Sequence, residues 1–414
     1  MTLREAEEYL LGLELFGMRF GLDRMHKLMT ALGMPQHRYA SIHVVGSNGK
    51  SSTVRFIAAL LERHGLRTGS YTSPHLRSFR ERIEVGGAPL GDEEFGAAVG
   101  RAKHAAEMVE RTLDPDDGVT QFEALTAAAY HALAARDVEV AVIEAGLGGR
   151  YDATNVIPSR VQVLTGVGLE HTRWLGPTVG HIAEEKLAVV RRNGTLVVGD
   201  LPAEVRTLAD DTARAQGATL VCAPGDASVP PLRAAGAFQR GNFALARAAA
   251  EAFLGRPLGD EAVRAAASET LIAGRLEQVA DEPLTLYDGA HNPAGARALA
   301  DAVPAVVGER RPLVLVLSVL DDKDAAGMLE ALLPLADEVV FTRCQNPRSL
   351  SPATLASLAA KVAGVQGVTV AKPSAAIAHA RELAGRGGAV LATGSIYLIA
   401  DLVREDGGAR ASAL

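Results

Sequence analysis

The chain has 414 residues, too many for one ordinary domain, and its 48% hydrophobic content can fill two or three large cores. A net charge of -7 and a pI near 5.9 argue against a nucleic-acid surface, and no Lys/Arg run marks a site for an anionic membrane. The two cysteines, Cys222 and Cys344, lie far apart without zinc spacing, and no apolar run approaches membrane-spanning length, so a reduced, cytoplasmic protein is expected.

The chain opens on an amphipathic acidic helix rather than a signal peptide. Residues 41–45 form a short apolar run with β-branched members, which reads as a buried strand. Gly46-Ser47-Asn48-Gly49-Lys50-Ser51-Ser52 then leads into helical apolar spacing at Phe56, Ile57, Leu60 and Leu61. Strand, glycine turn with Lys-Ser, then helix builds a phosphate cradle: the glycines admit an anion, and the helix start aims N–H groups and a positive dipole at it. Lys50 supplies a point charge for the outer phosphates, and Ser51 or Ser52 offers a hydroxyl to Mg²⁺. Only two residues separate Gly46 from Gly49, against four in the standard phosphate loop, so a variant ATP site is expected.

Past a strand after Arg67, Tyr71-Thr72-Ser73-Pro74-His75-Leu76 is either a ligand loop at a strand end or a plain polar loop. The next strand-like run, 138–144, ends on Glu144 ahead of a glycine loop, where a carboxylate suits Mg²⁺ beside a nucleotide. A run at 161–167 precedes Gly168-Leu169-Glu170-His171. Position alone leaves His171 open between ligand and core residue, because Mg²⁺ prefers oxygen. A helix over 181–191 carries Lys186, whose residue-level reading is a solvated lysine in local ion pairs. A strand at 195–199, a polar stretch at 223–236 and an alanine-rich helix at 242–254 complete the first half.

A second βα series has strands at 284–287, 313–317, 338–342, 368–371 and 389–393, with helices near 294–303, 325–333, 352–362 and 374–384. That order predicts a doubly wound domain of its own. Asp288-Gly289-Ala290-His291-Asn292-Pro293 closes its first strand, either reading a ribose or phosphate or forming a capped turn. Arg275 reads as a phosphate clamp at the hinge or an exposed structural arginine, and the charged loop 321–324 is weakly informative. The expected class is α/β: an N-terminal P-loop-type ATPase domain with a parallel sheet, residues 1–277, plus a smaller C-terminal Rossmann-like α/β domain, residues 278–414. The last ten residues read as a frayed tail.

Taken together, FGMRFGLDR, IHVVGSNGKSST, YTSPHLRSFRERI, FEALTAAAY, EAGLGGRYDATN, GLEHTRWLG, EEKLAVV, GRLE, YDGAHNP, LDDKD and TGSIYL run in order from residue 16 to 398. The set resembles the folylpolyglutamate synthase/dihydrofolate synthase family of the Mur ligase superfamily. The resemblance implies an ATP-dependent carboxylate–amine ligase that phosphorylates a pteroate or folate carboxylate and joins it to L-glutamate. It implies Ser73, Glu144 and His171 as a first magnesium set, and Lys186, commonly carbamylated in the family, as holder of a second Mg²⁺. By the same matching, Asn242 is an adenine contact and Arg275 a phosphate contact. Asp288 and His291 lie near ribose and phosphates, with Lys50, Lys186 and His291 as catalytic groups. Pro74, His75, Arg82 and Phe122 match regions that contact the pterin-bearing substrate, Arg82 pairing with its carboxylates.

Ser47 and Ser51 stand where the family commonly shows Thr and Gly, Glu170 replaces the usual Asp, and Tyr151 a usual Leu. A superfamily ligase acting on a UDP-sugar is the nearest rival; YTSPHL and the FGMRFGLDR segment argue against it. A nucleotide-driven switch or ATPase without covalent product would hydrolyse ATP independently of glutamate. Small-molecule substrates, no nucleic acid, no membrane and a monomer are expected.

Overall fold

The computed structural model describes residues 1–13 and 21–404, so most of the FGMRFGLDR segment and the tail after Arg404 lie outside the described residues. Eight strands form the larger sheet: β1 (Ala40–Val45), β2 (Thr68–Tyr71), β3 (Ile83–Val85), β4 (Ala88–Pro89), β5 (Val140–Glu144), β6 (Val161–Leu164), β7 (Thr195–Val198) and β8 (Thr219–Cys222). Their order is β4-β3-β2-β5-β1-β6-β7-β8. The run β2-β5-β1-β6-β7-β8 is parallel, and β3 and β4 extend it antiparallel. Nearly every residue of β1, β5 and β6 is buried, as strands covered by helices on both faces must be.

Helix Lys50–Glu62 lies on one face beside helix Ala237–Leu254, where Phe56 and Phe243 meet edge to face with centroids 5.1 Å apart. Burying each ring contributes about 2–3 kcal/mol. Helices Asp92–Glu110 and Gln121–Ala135 cover the other face. The latter is almost wholly buried and begins at a capping box, Thr120 with Glu123.

The smaller sheet contains β9 (Glu277–Asp281), β10 (Leu284–Tyr287), β11 (Leu313–Leu317), β12 (Glu338–Phe341), β13 (Val368–Thr369) and β14 (Ala389–Thr393), in the order β13-β12-β11-β14-β10-β9. All pairs are parallel except β9 with β10. The chain is thus a two-domain α/β protein.

Most expected elements form, with shifted ends. The run at 161–167 stops pairing after Leu164, because Gly166 and Gly168 belong to the loop that meets Ser47. The helix expected at 242–254 begins at Ala237, Gly241 being helical rather than a break. The helix expected at 181–191 runs Val179–Leu187, set by the Thr178 cap. Strands β3, β4, β8 and β9 carry too few residues, or too exposed a pattern, to register as apolar runs. Among the described residues no helix is long and apolar enough to cross a membrane.

Candidate active site

Adjacent parallel strands β5, β1 and β6 end together: Val44 is level with Glu144, and Val45 with Leu164. The loops leaving them therefore share one sheet edge, where the crossover directions diverge and open α/β sheets hold ligands. Gly46 (φ +151°) and Gly49 (φ +82°) take backbone conformations closed to most residues, and a Cβ on Gly46 would collide with Thr165 Oγ1. Thr165 Oγ1 donates to Asn48 O at 2.6 Å, and Gly168 N donates to Ser47 Oγ at 3.0 Å, so β6's loop braces the phosphate loop. Lys50 Nζ donates to Gly46 O (2.9 Å) and Ser47 O (3.3 Å), which holds its charge over the loop.

A cavity of about 310 Å³ opens above this loop, between the two domains. Residues 47–52, Thr165, Phe238, Asn242 and Arg275 form one wall, and Asp288, His291, Gly295 and Leu299 the other. Glycine turn, lysine and helix start at one end, with Phe238 and Leu299 among the lining, fit a nucleotide: anion cradle and apolar wall in one cleft.

Glu144 is 2% exposed beside that cavity. Its Oε1 accepts from Ser51 Oγ at 2.9 Å and its Oε2 from Ser73 N at 3.1 Å. Burial raises its pKa, opposed by the charge of Lys50. Ser51 thus meets the carboxylate rather than crowding the loop. The oxygen donors around Glu144 fit a divalent cation that completes its shell with phosphate and water. Among the described residues no three His, Cys, Asp or Glu side chains converge into a ready-made metal cage.

Lys186 departs from the solvated reading: it is 1% exposed, and Nζ lies 2.7 Å from Glu170 Oε1 and 3.0 Å from Gly46 O. Burial drives its pKa down, Lys50's charge adds to this, and Glu170 opposes. Burial alone would raise Glu170, but Lys186 and Lys50 outweigh it and hold the carboxyl at about 2. Its neighbour His171 sits in the left-handed region (φ 46°), with Nε2 3.5 Å from Lys323 Nζ of the second domain. Burial and the Lys323 charge push His171 down to about 4.

On the opposite wall, Asp288 spends its carboxylate on its own backbone, accepting from Leu276 N (2.8 Å) and Ala290 N (2.7 Å). His291 Nδ1 donates to Gly289 O at 2.9 Å, and burial, with Lys323 and Arg275 nearby, pushes the ring down to about 4. Asn242 Oδ1 lies against Gly49, and its amide donates to Gln239 Oε1 at 3.0 Å.

Ser51 and Arg275 also line a smaller cavity, about 50 Å³, with Arg55, Pro74, His75, Leu76 and Glu81. Ser51 and Arg275 are common to the walls of both cavities, so the 73–82 loop lies next to the phosphate end of the cleft. Arg82 does not line either cavity: it is 1% exposed, donates from Nε to His75 Nδ1 at 3.1 Å and stacks over Phe79. Phe122 packs on Gly146, in the loop after Glu144, beside Tyr71.

The fold and site define a two-domain nucleotide-binding protein with its phosphate loop facing a second α/β domain. Residues 274–396 match the Mur ligase, glutamate ligase domain model. The chain is 36% identical over 392 residues to the dihydrofolate synthase/folylpolyglutamate synthase of Mycobacterium tuberculosis, covering 85% of this chain and 80% of that one. Among solved structures, Mycobacterium tuberculosis folylpolyglutamate synthase complexed with ADP and AMPPCP superposes with a TM-score of 0.90 at 33% identity, over 97% of both chains. A bifunctional folylpolyglutamate synthase/dihydrofolate synthase with Mn, AMPPNP and L-glutamate bound gives 0.82 at 29% identity, again over 97% of each. The chain belongs to the folylpolyglutamate synthase/dihydrofolate synthase family.

Sequence reasoning passed over three contributors. Lys323 stood in the charged loop 321–324 and in the matched LDDKD piece, but neither gave it a role. Thr165 and Phe238 carry no local signal; their roles arise from which strand and helix neighbour the loop.

Proposed function

We propose that this protein is an ATP-dependent ligase that adds L-glutamate to dihydropteroate, to folyl-glutamates or to both. The observation that carries the reading is that Ser51 and Arg275, beside Glu144, form part of the wall of both cavities. It puts the phosphate end of a nucleotide cleft against the 73–82 loop. A carboxylate is a poor electrophile; transfer of the γ-phosphoryl group to its oxygen, with release of ADP, makes that oxygen a good leaving group. The glutamate amine then attacks the carbonyl carbon, a proton is lost and inorganic phosphate departs as the amide forms.

Lys50 and the amides of residues 46–52 hold the transferring phosphoryl group, acting by position and charge. Arg275 faces both cavities and clamps the transferred phosphate, while Pro74 and His75 border the acceptor, with Arg82 and Phe122 supporting that loop from beneath. Glu144, Ser73 and His171 would hold one divalent cation, which supplies charge neutralisation at the phosphates. Lys186 as a carbamate would hold a second; the downward pull of burial favours the neutral amine that reacts with CO₂. A ¹³C-bicarbonate carbamate signal present in the wild type and absent from Lys186→Arg is expected.

The nucleotide unit is residues 1–277 and the glutamate-ligase unit 278–414, and one chain in the cytoplasm supplies both walls of the site. A monomeric sedimentation mass is expected. The functional test is glutamate incorporation with dihydropteroate and tetrahydrofolate monoglutamate as rival acceptors. ADP release that depends on both acceptor and glutamate supports the reading; ADP release indifferent to glutamate returns the protein to the ATPase class.

A further inference from the structure

We propose that Asn292 is a positioning residue for phosphoryl transfer, clasping the phosphate loop to the second domain through the side chain of Asn48. This deepens the ligase reading and rests on it. Asn292 is 7% exposed and caps helix Pro293–Val307, its Oδ1 accepting from Gly295 N at 2.8 Å. That bond fixes which way the amide points: oxygen toward the helix start, nitrogen away. The nitrogen donates to Asn48 Oδ1 at 2.9 Å, and Asn48 Nδ2 returns a bond to Asn292 Oδ1 at 3.3 Å. Two reciprocal amide bonds therefore join residues 244 apart in sequence.

Asn48 is held on its other side as well. Its carbonyl accepts from Thr165 Oγ1, and it stands between Ser47, bonded to Gly168, and Gly49 in its left-handed turn. A shift of the loop main chain is thus passed to the second domain through one rigid amide pair. The clasp sets the spacing between two helix starts, Lys50–Glu62 and Pro293–Val307, and Lys50 of the first and Ala294 and Gly295 of the second line the nucleotide cavity. Phosphates seated on the loop amides meet Asp288 and His291 at the distance the clasp dictates. Two further polar contacts between the domains, Lys323 with His171 and Arg404 Nε with Leu76 O at 3.0 Å, lie on the neighbouring loops rather than on the phosphate loop.

A mere helix cap makes a different prediction, and Asn292→Asp separates the two. Aspartate caps as well as asparagine does, but it loses the donor and sets a carboxylate oxygen against Asn48 Oδ1. Asn48→Ala removes the clasp from the other side and leaves the cap intact. The experiment measures kcat and KM for ATP in both single variants and the double variant. It adds spin-label distances between Arg214→Cys and Glu309→Cys with AMPPNP bound, in a Cys222→Ser background; both label sites are exposed and Cys344 is buried.

Each single variant is expected to lose about fivefold or more in kcat, the worth of one neutral hydrogen bond, with KM for ATP changed less than twofold. The double variant should be no worse than either single one, and the interdomain distance distribution should broaden in all three. Wild-type kcat and a wild-type distance in Asn292→Asp, or additive losses in the double variant, would overturn the clasp. If the wild type ligates no glutamate, the ligase reading fails by itself, while the distance measurement still decides the clasp.

Discussion

The two walls of the nucleotide cavity use polar groups in opposite ways. On the larger sheet's wall, Lys50, Glu144, Lys186 and Glu170 bring formal charges into a nearly dry space and balance them against each other. On the smaller sheet's wall, Asp288 turns its carboxylate onto two backbone N–H groups, and His291 and Asn292 are uncharged side chains bonded to main chain or to Asn48. We propose that one wall supplies charge for the chemistry and the other places the reactants. The difference follows from construction: one wall lies at the ends of three adjacent buried strands, whereas the other is one strand end and the helix that follows it.

Glu144→Gln gives the strongest test of that division. With the shape kept and the charge gone, kcat should drop on the order of a thousandfold while the protein stays folded, as a steady-state assay beside a melting curve would reveal. Retention of a tenth of the activity would break the comparison. Lys186→Met should abolish ligation and, compared with wild type freed of CO₂ and divalent metal so that the lysine is an ammonium, destabilise the fold by about 3 kcal/mol, since Glu170 would be left buried without its partner. Urea unfolding reads the stability part, and an unchanged midpoint would mean that the pair is not buried in solution.

On the placing wall, Asp288→Ala orphans the N–H groups of Leu276 and Ala290, at about 1–3 kcal/mol each. A lower melting temperature with a smaller kcat loss than that of Glu144→Gln would sharpen the contrast; the reverse order would invert it.

An effect on stability alone, absent at neutral pH, lies behind the charged wall, at His43 on β1. It is fully buried, with Nε2 2.8 Å from Thr154 Oγ1, and burial holds its pKa at about 3. As pH falls below the ordinary histidine value of 6.5, the unfolded chain takes up a proton that the folded chain refuses until about 3. Stability therefore declines with falling pH across that window, by roughly 1.4 kcal/mol per unit at most from this group, and is indifferent to it above. His43→Gln should flatten the slope in urea titrations at pH 4 to 6.5; an unaltered slope would mean that His43 is not held neutral.

Much of this contrast was legible in the sequence. Strand–loop–helix order around Gly46–Ser52 and the strand-end position of Glu144 follow from local apolar runs, and β10, β11 and β14 fall where such runs place them. What local pattern could not supply was adjacency. Nothing near Lys186 announces that Glu170, on another loop, will bury it, and nothing near Asn48 names Asn292. Likewise the resemblance pairs Arg82 with the substrate's carboxylates, yet His75 and Phe79 fold over it. A short edge strand such as β4 exists only because a neighbour pairs with it.

On the proposed mechanism, the charged wall transfers a phosphoryl group to the acceptor's carboxylate before glutamate attacks. The direct measurement uses an acceptor labelled with ¹⁸O in that carboxylate and follows the label into released phosphate during glutamate ligation. One labelled oxygen per phosphate, appearing in step with product, is the predicted result. Unlabelled phosphate accompanying full product formation would contradict it.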